Sequence, residues 1–130
     1  MNVVDSSAWL EYFAAGPNNA FFSDAIENTG DLIVPTLCLY EVFKKIVSHR
    51  SENEALQAVA VMQQGHIVDL DPAIALSAAR ISLEQELPMA DSVILATARM
   101  NRATLWTQDA HFENIENVKY KKTHAIHQGL

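Results

Sequence analysis

The chain has one cysteine in 130 residues, so an internal disulfide is excluded. Cys38 lies in the apolar run Leu37-Cys38-Leu39, which reads as the setting of a buried, inert thiol. No stretch approaches the ~18 uninterrupted apolar residues that a membrane span needs. The N-terminus lacks the basic flank and apolar centre of a secretory signal, so its residues read as part of the fold. A cytoplasmic protein with no membrane partner is the expectation. Basic residues are scarce as well, 9 Lys and Arg against 16 Asp and Glu, for a net charge of −7. That balance argues against a broad basic footprint for nucleic acid, although bound cations would neutralise a local excess of acid. A glycine-rich phosphate loop, a dinucleotide fingerprint, a zinc-spaced Cys/His cluster and a nucleophile–histidine pair are all missing.

What is present is a globular composition, 49% hydrophobic, in a length that suits one domain over residues 1–130. A chain of this size buries roughly two-thirds of its unfolded surface, enough for a real core. Short apolar runs alternate with helical patterns. Val3-Val4, Leu32-Ile33-Val34, His66 to Leu70 and Thr104 to Thr107 read as strands, with Val118-Lys119-Tyr120 as an edge strand. Helices are expected over Ser7 to Ala14, Ala20 to Asn28 and Thr36 to His49, the last capped by Thr36. Ser51 and Glu54 form a capping box opening a fourth helix that Gly65 ends, and Asp71-Pro72 starts a fifth reaching about Glu86. Val93 to Arg99 is apolar nearly all round and reads as the most buried helix. This alternation specifies an α/β fold: a mostly parallel sheet of four to five strands with helices on both faces, a three-layer sandwich.

Four acids stand at strand–helix junctions. Asp5 follows the first strand, Glu41 sits about a turn inside the helix after the second, Asp91 opens the buried helix, and Asp109 follows the fourth strand. Ligands of open α/β sheets bind outside the carboxyl ends of the strands, and right-handed connections send all four acids toward one edge. Two unit charges 4 Å apart repel by about 4 kcal/mol at an effective dielectric of 20, so the gathering needs a cation. Mg²⁺ or Mn²⁺ suits such an all-oxygen set, with Ser6, Ser7 and Thr107 placed to steady carboxylates or waters. A carboxylate-held divalent cation in turn suits phosphodiester hydrolysis.

The residues around these acids carry a resemblance. Val3-Val4-Asp5-Ser6-Ser7-Ala8-Trp9-Leu10-Glu11-Tyr12-Phe13 resembles the opening of a PIN-domain nuclease, above all the VapC-type toxins of bacterial toxin–antitoxin pairs. The likeness continues through Val34-Pro35 with Glu41 six residues after the proline, Ala90-Asp91-Ser92-Val93-Ile94-Leu95-Ala96, and Leu105-Trp106-Thr107-Gln108-Asp109-Ala110-His111-Phe112. It spans nearly the whole chain. The resemblance implies an Mg²⁺- or Mn²⁺-dependent endoribonuclease with Asp5, Glu41, Asp91 and Asp109 around the metal and Ser6 and Thr107 in support. It also implies single-stranded or loop RNA as substrate, a cognate antitoxin and a homodimer. Many relatives carry a further Asp where this chain has His111.

The competing reading is a catalytically inactive PIN-like module that works by binding a protein partner. A phosphatase or phospho-receiver is disfavoured, because Asp5-Ser6-Ser7 lacks the Asp-x-Asp signature and no paired early acids or late Lys-Pro occur. Asp69 and Asp71 read as strand-end and cap residues outside the site, and Lys44, Lys45, Arg80, Arg99 and Arg102 as solvated positions. Trp9, Tyr12 and Phe13 read as core or dimer contacts, and His124 to His127 as a polar tail rather than a metal-binding pair.

Overall fold

A computed structural model of the chain describes residues 1–124. Five strands form one sheet, all parallel: β1 (Asn2–Val4), β2 (Leu32–Pro35), β3 (His66–Val68), β4 (Thr104–Thr107) and β5 (Val118–Tyr120), in the order β3-β2-β1-β4-β5. Six α-helices accompany them among the described residues: α1 (Ser6–Phe13), α2 (Asn19–Glu27), α3 (Thr36–His49), α4 (Glu52–Met62), α5 (Pro72–Gln85) and α6 (Met89–Met100). The expected mostly parallel sheet is therefore wholly parallel, because even β5 pairs with β4 in the same direction. The pair His124–His127, read as a tail, extends outside the described residues.

The chain steps outward from β1 to β2 to β3, then returns through α5 and α6 to β4 on the far side of β1. Parallel crossovers are right-handed, so steps in opposite directions place their helices on opposite faces. In keeping with this, α2 lies on β1 and α3 on β2, while α6 packs across β1, β2 and β4. Val3, Val4, Leu32, Val34 and Leu105 are fully buried between the layers, as the continuous apolar runs of a doubly covered sheet require. Residues Ser92 to Ala98 of α6 are all buried, matching the apolar pattern read in the sequence. Cys38 is fully buried too, its thiol turned to the carbonyl of Val4 at 3.7 Å, and burial pushes its pKa well up.

Local signals account for most helix ends. Ser51 Oγ accepts the Glu54 N–H, and Asp71 Oδ1 accepts the Ile74 N–H with Pro72 in the first turn. Two expectations are corrected. Thr36 does not cap α3: Pro35 occupies that position and Thr36 is already helical. Proline fixes an extended entry without a side-chain acceptor, so α3 starts directly from the strand. Gly65 does not terminate α4, which ends at Met62. Its role is space, because a Cβ there would lie 3.0 Å from the Leu32 carbonyl oxygen and from Leu32 and Val34 side-chain atoms.

Candidate active site at the carboxyl edge of the sheet

The direction of strand addition reverses between β1 and β4, which makes the crevice beyond their carboxyl ends the topological switch point of the sheet. Asp5 is the first residue after β1 and Asp109 the second after β4. The sequence thus delivers two carboxylates to the two lips of the crevice.

Asp5 occupies the N-cap of α1, yet its side chain makes no capping bond. It is only 3% exposed, and Oδ2 accepts from the hydroxyls of Ser7 at 2.7 Å and Thr107 at 2.9 Å. Burial pushes its pKa up to about 6; these two hydroxyls pull it down, and the neighbouring charges of Asp91 and Asp109 push it further up. A helix could have used this carboxylate as its cap and instead leaves it facing other acids.

Thr107, fully buried, is the hub. While its hydroxyl donates to Asp5, it accepts the backbone N–H of Asp109 at 2.9 Å and lies 3.3 Å from Ser7 Oγ. The end of β4 is thereby stitched to the end of β1. Ser6 serves the other flank, where its hydroxyl donates to Glu41 Oε1 at 2.6 Å from the second turn of α3. Partial burial raises the Glu41 pKa, the Ser6 bond lowers it, and Asp91 and Asp109 raise it again. Asp91 lies in the first turn of α6, half-buried, and its pKa is likewise raised by burial and by Asp109, against the lowering effect of His111.

His111 closes the ring of groups. Its Nδ1 lies 2.8 Å from Asp91 Oδ2 and 3.3 Å from Asp109 Oδ1, and its backbone N–H donates to Asp109 Oδ1 at 2.9 Å. The hydrogen bond to Asp91 raises the pKa of the imidazole, helped by Asp109. Asp91, Asp109 and His111 each offer a ligand atom, all within 4.8 Å of one another. Two carboxylates and an imidazole in that compass fit a divalent cation by donor chemistry, with Asp5 and Glu41 close enough to sense the same charges.

The structure brings the four predicted acids and both supporting hydroxyls, Ser6 and Thr107, to one edge. Asp69 is exposed just after β3, two strands from β1, and Asp71 is a cap. Lys44, Arg80, Arg99 and Arg102 are exposed, and Lys45 is half-buried. Trp9 is fully buried in the core, stacked on Phe13 at 5.6 Å between ring centroids.

Comparison with known proteins places the fold. The family model described as PIN domain matches residues 3–118. The chain belongs to the PIN domain family. Its fold is that of several solved PIN-like toxins. A toxin–antitoxin complex from Klebsiella pneumoniae matches with a TM-score of 0.76 at 21% identity, covering 92% of this chain and 96% of that one. DNA-bound VapBC from Salmonella typhimurium matches at 0.73 and 16% identity over 93% and 96% of the two chains. VapC20 from Mycobacterium tuberculosis, a sarcin–ricin loop cleaving toxin, matches at 0.72 and 16% over 86% and 92%. Comparison with the sequences of curated proteins returns no match. No helix of this PIN domain, among the described residues, is long and apolar enough to cross a membrane.

One buried acid escaped the sequence reading. Glu11 of α1 is 2% exposed, and Oε2 accepts the Asn18 N–H at 2.6 Å while Oε1 lies 3.4 Å from Gln108 Nε2. Asn18 Nδ2 in turn donates to Gln108 Oε1 at 3.0 Å. Glu11 therefore braces the segment that carries Asp109 from behind. The signal was a carboxylate set among Trp9, Leu10, Tyr12 and Phe13, which alternatively reads as a solvated position.

Proposed function

We propose that this PIN domain is a metal-dependent endoribonuclease, the toxin of a type II toxin–antitoxin pair. Its substrate is single-stranded or loop RNA, hydrolysed at a phosphodiester by water without a covalent enzyme intermediate. Asp5, Glu41, Asp91 and Asp109 hold the cation, Mg²⁺ or Mn²⁺, or orient its water, and Ser6 and Thr107 hold the carboxylates in place. A cognate antitoxin and a second copy of the chain are its protein partners. Family membership and the likeness of the fold to VapBC toxins support this reading.

The observation that carries it is Asp5, a buried carboxylate at a helix N-cap whose side chain ignores the cap and is instead anchored toward Asp91 and Asp109. Holding these anions together raises the pKa values of Asp5, Glu41 and Asp91, and a cation removes that cost. A divalent cation bound there supplies Lewis acidity and lowers the pKa of its water. The chain's own contribution is geometric: Thr107 fixes Asp5 relative to the Asp109 backbone, and Ser6 fixes Glu41.

Incubating the pure protein with mixed RNA and Mg²⁺ or Mn²⁺, with and without EDTA, tests the proposal. Cleavage that EDTA stops and that Asp5→Asn and Asp91→Asn abolish, with folded variants by circular dichroism, is the expected result. Cleavage unchanged in both variants overturns the mechanism. Absence of metal-dependent cleavage in the wild type favours the inactive partner-binding module.

A further inference from the structure

We propose that His111 is a direct nitrogen ligand of the cation, so that the site prefers Mn²⁺ and related transition ions to Mg²⁺. The inference rests on the metal-site reading above and deepens it. Nδ1 of His111 is 2.8 Å from Asp91 Oδ2 and 3.3 Å from Asp109 Oδ1. Neighbouring ligands of an octahedral ion with bonds of about 2.1 Å lie about 3 Å apart. Nδ1 is thus spaced from each of the two carboxylate oxygens as one ligand is from its neighbour around a single ion, and all three donor atoms lie within 4.8 Å of one another.

That backbone is fixed in advance. Asp109 caps the short 3₁₀ turn Ala110–Phe112 through the His111 N–H, and Phe112, fully buried, anchors the turn in the core. The imidazole is therefore held on the crevice side of an anchored loop instead of sampling solvent freely. As a mere surface ion pair it would contribute little, because its side chain is 58% exposed. The same exposure leaves the ring free to exchange its carboxylate partner for a cation.

The chemical consequence is selectivity. Mg²⁺ is a hard ion that prefers oxygen ligands and retains its waters, whereas imidazole binds transition ions with increasing affinity from Mn²⁺ through Co²⁺. Replacing one oxygen donor with Nδ1 biases the set away from Mg²⁺.

Mn²⁺ titration of the full chain followed by electron paramagnetic resonance tests this. Electron spin echo modulation from ¹⁴N is expected for Mn²⁺-loaded wild type and should vanish in His111→Ala. In His111→Asp, which supplies an oxygen donor in place of the nitrogen, the preference for Mn²⁺ over Mg²⁺ measured by competition should fall about tenfold. Mn²⁺ bound in a manner that Asp91→Asn abolishes, yet without nitrogen modulation and with an unchanged ion preference in His111→Asp, overturns the inference and leaves the metal site standing. No Mn²⁺ binding, or binding indifferent to Asp91→Asn, overturns both.

Discussion

The hydroxyl of Thr107 donates to Asp5 Oδ2 at 2.9 Å, joining residues 102 positions apart. The same oxygen accepts the Asp109 N–H, so one buried side chain sets two lips of the crevice against each other. Thr107→Val keeps the shape and removes both bonds, leaving the Asp109 N–H without its partner and Asp5 with Ser7 alone. Thermal or denaturant unfolding should show a loss of about 1–3 kcal/mol. Metal affinity should fall with it, and Thr107→Ser should recover most of both. Retained affinity in Thr107→Val would remove Thr107 from the site.

Stability of the metal-free protein should fall as pH rises. An Asp5 pKa near 6 in the fold, against its ordinary 3.8, means that the folded state binds the proton more tightly than the unfolded one. The associated stability is fully present below about pH 4 and is lost as pH passes through 6. That difference is worth about 3 kcal/mol. Glu41, Asp91 and His111, all with raised values, act in the same direction. Melting followed by circular dichroism in EDTA should therefore show a decline between about pH 4 and 7 that Asp5→Asn flattens and that added Mn²⁺ offsets at pH 7. A rise across that interval, unchanged by Asp5→Asn, would contradict the assignment.

Gly16 has no room for a side chain, since a Cβ would come within 2.5 Å of the Glu11 carboxylate. Gly16→Ala should displace Glu11 from the Asn18 N–H and cost about 1–3 kcal/mol in denaturant unfolding. Glu11→Ala should destabilise comparably, because it empties a buried site and strands that N–H. A neutral result for both would show that the Gly16–Asn18 turn tolerates loss of its brace.

Ser6→Ala removes the 2.6 Å bond to Glu41 without disturbing the core. The expected outcome is a change in stability below about 1 kcal/mol together with weaker metal binding, measured by titration calorimetry. A variant with full metal affinity would reduce Ser6 to a helix residue.

Much of the architecture was legible because it depends on local chemistry. Buried strands declare themselves as Val-Val, Leu-Ile-Val and Leu-Trp runs, and Ser51 and Asp71 announce their helices by side-chain acceptors that reach only three residues ahead. The misreadings are of the same local kind. Thr36 resembled a cap and Gly65 a stop, but a proline-set entry and the close approach of the Leu32 carbonyl oxygen decided those positions. Asp5 shows the limit best: its local environment is that of a cap, and its actual partners are Ser7 and the distant Thr107.

By itself the sequence determined the alternation of strands and helices and the placement of acids at their junctions, because periodicity and turn chemistry act over a few residues. Only the tertiary structure decided that β1 and β4 would be neighbours, that Thr107 would bind Asp5, that Glu11 would lie buried behind the site, and that His111 would turn toward Asp91. Those contacts join residues far apart in the chain, and their geometry is set by how layers pack, which no local pattern encodes.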